Sequence, residues 1–241
     1  MEDSGYDIKI ISTLRDYTAT RVINEILQYT KPHIINVNPF TDEQIKEFLN
    51  VNMGSCNEDF VESIIRIAEG NPRIAYMSGR LAKAKQSLSA ISDATQLYES
   101  YYTKFLTNSS ITTDRDLCFA ASVISLLHTI NLSDISFLES LLDKLSINQE
   151  TFLKMIYCLC EDEFVEIKLD KVATISDQCL RNYMLYYAFC KKRIVPYSEL
   201  LEIGFKSFKN GIVKATSILW NIFSSSEVHE YLSSEIEKVW D

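Results

Sequence analysis

The chain has 241 residues, 46% of them hydrophobic and 24% charged, and carries a formal net charge of -9. That balance excludes a disordered chain, and its acidity works against generic contact with phosphate backbones or anionic lipid, which need concentrated Lys and Arg. Only six glycines and four prolines favour long helices over a turn-rich β architecture, so a mainly α protein is expected.

In chain order, Ile8 to Ser12 reads as a short β-type run and Thr18 to Tyr29 as an amphipathic helix with Val22, Ile23, Ile26 and Leu27 on one side. Ile34, Ile35 and Val37 make a second short strand. Strand, helix and strand in about 30 residues is the pattern of a crossover between parallel strands. From Phe40 the pattern turns helical. Thr41 and Gln44 stand at capping-box spacing before Ile45, Phe48 and Leu49, and Asn57 suits the cap of a following helix that Gly70 stops. Pro72 fits the first turn of the next helix, so "EGNPR" reads as a fixed corner. Tyr98, Tyr101 and Tyr102 follow at helical spacing, the mark of a core stripe.

The polar run "TNSSITTD", residues 107 to 114, reads as a domain linker. Helical segments are expected over Asp116 to Thr129, Ser133 to Leu145 and Gln149 to Cys160, then a hairpin turning at Asp170-Lys171. Three helices and a two-stranded ribbon give the winged-helix order. Asp177 to Asp241 is helical again, with Leu180, Tyr183, Met184 and Tyr187 as one stripe.

Six cysteines without a CxxC pair and histidines at 33, 128 and 229 give no metal-ligand spacing. Cys118, Cys158 and Cys179 stand among apolar residues, as buried thiols of a reducing cytoplasm do. The acidic start "MEDSGYD" is unlike a signal peptide, and no run approaches the roughly 20 apolar residues of a membrane span. A cytoplasmic protein without a membrane partner is expected. No nucleophile elbow occurs, and His128 reads as a core histidine.

The stretch "KIISTLRDY" resembles the sensor-1 strand of STAND-type P-loop NTPases, signalling relatives of AAA+ ATPases. "VNPFTDEQIKEFL" is similar to that family's passage from strand to lid, and "EGNPRIAYMSGRLA" to its Gly-x-Pro corner. The resemblance covers the order of motifs over residues 7 to 176. It implies a small parallel β-α-β remnant of a nucleotide-binding core (1–38), a helical lid (39–107), a winged-helix domain (112–176) and a C-terminal helical extension (177–241). It also implies nucleotide contacts: Thr13 toward a γ-phosphate or its attacking water, Arg15 toward phosphate oxygens, and Pro72 against an adenine face.

One departure limits that resemblance. None of the glycines at 5, 54, 70, 79, 204 and 211 stands in a GxxxxGK[ST] frame, and no apolar strand ends in paired acids for magnesium. The expectation is the regulatory half of a STAND-like signalling or defence NTPase. ATP or ADP with Mg would bind a complete parent, and that parent could be an ATPase. This chain alone would hold no cofactor, catalytic residue or metal. Its partners would be an upstream nucleotide-binding domain, a second copy or another protein. Rival expectations are a winged-helix DNA-binding regulator and a helical adaptor without nucleotide chemistry. DNA is disfavoured because the third helix offers Lys154 against Glu150, and Glu161, Asp162 and Glu163 follow.

Overall fold

The computed structural model describes residues 10–12, 22–54, 57–85, 94–107, 109–223 and 225–240. It is mainly helical, with one small antiparallel sheet. The chain divides into two units, Met1–Asn38 and Pro39–Asp241.

In the first unit, residues 22–26 are helical and close in a turn, with the Leu27 amide donating to the Ile23 carbonyl at 2.9 Å. Residues 30–38 have no regular structure, so the strand expected at Ile34, Ile35 and Val37 is not formed. These side chains stand exposed, Val37 at 90%. A strand requires a neighbour to pair with its amides, and the sheet of the second unit is paired within residues 129–174. Of the expected first strand only 10–12 are described, without strand structure.

The second unit opens with α1 (Asp42–Met53), whose N-terminus carries a complete capping box between Thr41 and Gln44. Its apolar face buries Ile45, Leu49 and Met53. Helix α2 (Glu58–Ala68) is capped by Asn57 and buries Val61, Ile64 and Ala68. Helix α3 (Pro72–Lys85) packs against both α1 and α2 and then against α4 (Ala94–Thr107).

After a 3₁₀ turn at Ser110–Thr112 comes α5 (Arg115–Leu127), started by Asp114, whose carboxylate accepts from the Asp116 and Leu117 amides. Every residue from Cys118 to Leu126 is buried, the pattern of a helix surrounded on all sides. Ala120, Ala121, Ser122 and Ser125 keep it slim, and the two serine hydroxyls donate back to the Phe119 and Ala121 carbonyls. After α5 come β1 (Thr129–Asn131), α6 (Glu139–Lys144), α7 (Gln149–Glu161), β2 (Glu166–Lys168) and β3 (Val172–Thr174), of which β1, α7 and β3 pack on α5. The sheet order is β1-β3-β2, with Ile130 opposite Ala173 and Ala173 opposite Ile167.

Helix α8 (Gln178–Leu185) widens into a π segment, Tyr186–Lys191. Helices α9 (Tyr197–Ser207), α10 (Lys209–Ile222) and α11 (Ser226–Trp240) complete the unit. An aromatic cluster ties distant segments together: Tyr102 stacks on Tyr183 at 5.5 Å, Tyr186 on Phe223 at 4.8 Å, and Tyr98 meets Phe223 edge-on at 5.1 Å. Such rings contribute both apolar area and a preferred geometry.

Candidate functional site: the corner at Gly70 to Arg73

The corner is built from backbone requirements upward. Helix α2 ends with Glu69 and Gly70 both left-handed, at φ 45° and 77°. A Cβ on Gly70 would stand 2.6 Å from the Phe40 carbonyl oxygen and 2.7 Å from the Pro39 Cβ. The Phe40 amide meanwhile donates to the Gly70 carbonyl at 2.8 Å. Only glycine satisfies the close approach and the left-handed backbone together. Asn71 then caps α3, its Oδ1 accepting from the Arg73 amide at 2.9 Å and the Ile74 amide at 3.3 Å. Pro72 takes the first helical position, where the missing N–H removes no bond.

Beyond the cap, Arg73 reaches across the chain. Its Nη2 lies 2.8 Å from Asp177 Oδ2, which also accepts from the Tyr102 hydroxyl at 3.2 Å. The other oxygen, Asp177 Oδ1, caps α8 through the Cys179 and Leu180 amides. One carboxylate thus joins α3, α4 and α8. The Arg73 guanidinium lies 6.0 Å from the Tyr101 ring centroid. Asn71, Arg73, Asp177, Gln178 and Cys179 line an open cleft of about 390 Å³.

The chemistry available here is ionic and positional. Burial pushes the Tyr98 and Tyr102 phenols and the Cys179 thiol up, so all three stay protonated at neutral pH. A buried thiol without a thiolate is a poor nucleophile. The arrangement fits a latch between segments better than a reaction centre. No group of three or more His, Cys, Asp or Glu among the described residues is arranged to hold a metal.

Of the residues singled out by the resemblance, Pro72 sits at this corner. Thr13 and Arg15 lie outside the described residues. In the sequence Asp177 marks only the start of the last helical region. Its aspartate-before-helix signal marks a cap, but nothing in the spacing names Arg73 or Tyr102 as its partners. His128 stands half-buried at the end of α5 with φ 67°, a helix terminus and not the core position expected.

The other sequence-singled element is α7. Phe152, Met155, Ile156 and Leu159 are buried as expected, while Lys154 on the exposed side is held by Glu150 at 2.7 Å. No helix among the described residues is long and apolar enough to cross a membrane.

No family model, curated protein or solved structure matches this chain.

Proposed function

We propose that this chain is the regulatory half of a STAND-like ATP-binding NTPase, in which the helices over 39–107 form the lid and the segment over 112–176 is a winged helix. The corner at Gly70 to Arg73 acts as hinge and adenine-side wall of a nucleotide site whose phosphate loop is supplied by another module, with Thr13 and Arg15 as phosphate contacts. Nucleotide state would change how lid and winged helix pack on the core, and so how the protein signals to a protein partner.

The observation that supports this reading best is the double anchoring of the corner. Gly70 is fixed to Pro39–Phe40, and Arg73 is fixed to Asp177 just beyond the β2-β3 hairpin. A movement of Pro72 would be felt at once in the segment that follows the hairpin. The order α5, β1, α6, α7, β2, β3, with its three-stranded antiparallel sheet, is also the order a winged helix would have.

The test is ATP binding by the chain joined to the phosphate-loop module it serves. Pro72→Ala and Arg15→Ala are each expected to weaken binding about tenfold, equivalent to ~1.4 kcal/mol, while the chain by itself binds no ATP at the corner. Unchanged affinity in both variants overturns the assignment.

A further inference from the structure

A second cleft, of about 290 Å³, lies between the turn leading into α5 and the end of the π segment. Its floor includes the buried Cys118 and Tyr187. Its rim carries the exposed side chains of Arg115, Lys192 and Arg193, with Thr112 and Thr113 beside them.

Cations gathered on one rim repel one another unless something negative lies among them. In a chain of net charge -9 carboxylates are plentiful, yet among the described residues none forms an ion pair with any of these three. Asp114, the acid whose charge acts on Cys118 in the floor, caps α5 and offsets part of that repulsion, which leaves the three lining cations in excess.

The cations are nevertheless held in place. Arg115 Nη2 donates to the Ile194 carbonyl at 2.9 Å. Arg193 Nε donates to the Cys190 carbonyl at 3.3 Å, and its guanidinium lies 4.2 Å from the Tyr231 ring centroid. Each guanidinium has five N–H donors, so one carbonyl apiece leaves most of them unspent. The Lys192 ammonium lies 5.7 Å from the Tyr187 ring centroid and donates no hydrogen bond among the described residues.

Two backbone irregularities bring Lys192 and Arg193 to the rim. The wide π turn is closed by the Lys192 amide donating to the Tyr187 carbonyl at 2.8 Å, and Arg193 is left-handed at φ 49°. Both features cost energy and recur where a backbone is bent to serve a ligand.

We infer that this rim binds a compact, multiply charged phosphate anion, of the class of pyrophosphate or the polyphosphate tail of a nucleotide. Two planar forks and an ammonium match tetrahedral phosphoryl oxygens, and the Thr112 and Thr113 hydroxyls offer further donors. Tyr187 is buried beneath the rim and presents no face for a base, so recognition is of the phosphates alone. The cleft shares no residue with the corner, and the inference stands independently of the function proposed above.

The test is calorimetric titration of the chain with inorganic pyrophosphate at low ionic strength, with ATP and AMP as comparison ligands. Pyrophosphate and ATP are expected to bind alike and AMP more weakly. Lys192→Gln and Arg115→Gln should each weaken binding about tenfold, the loss of one charge-assisted contact. Because the Lys192 ammonium donates no hydrogen bond among the described residues and gives up only its contact with the Tyr187 ring, Lys192→Gln is expected to shift the melting temperature by no more than about 2 °C, which separates lost binding from lost folding. Absence of pyrophosphate binding at millimolar concentration overturns the inference, as does full binding by the Lys192→Gln, Arg115→Gln double variant. Tighter capture of a poly-glutamate peptide than of pyrophosphate would also overturn it, and would assign the rim to an acidic protein partner.

Discussion

Arg73 and Asp177, 104 residues apart in the chain, meet at 2.8 Å. Their contact fastens the start of α3 to the start of α8, and Tyr102 of α4 shares the same carboxylate oxygen.

Asp177→Ala removes both this contact and the cap of α8. A lost cap costs about 1 kcal/mol, and the lost ionic partner adds to it, so denaturant unfolding should show a loss of about 1–3 kcal/mol. Arg73→Ala should cost under about 1 kcal/mol, because the pair is partly open to solvent at 48% and 31%. The double-mutant cycle is expected to give a coupling of about 0.5–1 kcal/mol. A coupling of zero would mean that the two residues touch without latching anything.

Gly70→Ala tests the corner from its other side. The added methyl meets the Phe40 carbonyl oxygen and the Pro39 Cβ, and the backbone is left-handed at φ 77°. Gly54 also has a positive φ, 74°, with ψ -168° and nothing within 4 Å of a Cβ. Gly54→Ala therefore carries a backbone cost alone, about 1–3 kcal/mol in a region essentially restricted to glycine. Gly70→Ala adds the clash to its own backbone cost and should lose about 2–4 kcal/mol in urea unfolding. A loss of about 1 kcal/mol or less would show that the Pro39–Phe40 segment yields freely.

Glu235 gives a dependence on pH. Pro196 starts α9 without a side-chain cap, and the carboxylate of Glu235 from α11 supplies one, accepting from the Ser198 amide at 3.0 Å and its hydroxyl at 2.9 Å. Burial alone would raise the Glu235 carboxyl. The Lys238 ammonium and the Ser198 donors outweigh it and hold the group below its ordinary value of 4.5. A depressed folded value means that the charged form stabilises the fold above pH 4.5, and that this contribution disappears as pH falls through the lowered value. Glu235→Gln should melt earlier than the parent at pH 7, by an amount worth about 1–2 kcal/mol, and the gap should close on acidification below 4.5. A gap independent of pH would contradict the assignment.

Local signals in the sequence were legible wherever a few adjacent residues decide the structure. The Thr41–Gln44 capping box, the Asn57 cap, the stop at Gly70 with Pro72 behind it, and the turn between β2 and β3 are all formed. The inward face of α7 was readable from its 3.6-residue period. What escaped was decided by distant partners. Thr129–Asn131 is too short to show alternation and is a strand because β3 pairs with it. Ser133 to Leu145 reads as one helix, yet it divides into a 3₁₀ turn at Ser136–Leu138 and the short α6. Ile34 to Val37 failed in the opposite sense, since β-branched residues favour a strand only where a sheet receives them. The Arg73–Asp177 contact leaves no sequence signal, because it joins side chains brought together by the fold; of the cation rim only the run Lys191-Lys192-Arg193 shows in the sequence, and Arg115 joins it through the fold.

The encirclement of α5 limits how this molecule can be taken apart. Its neighbours include α7 and the sheet on one hand, and α8, the π segment and α10 on the other. A cut at residue 176, where the expected winged helix ends, would strip this apolar helix of α8, the π segment and α10. The last 65 or so residues are therefore less an appendage than the closing wall of the room that α5 occupies, and expression of either portion without the other should yield aggregate.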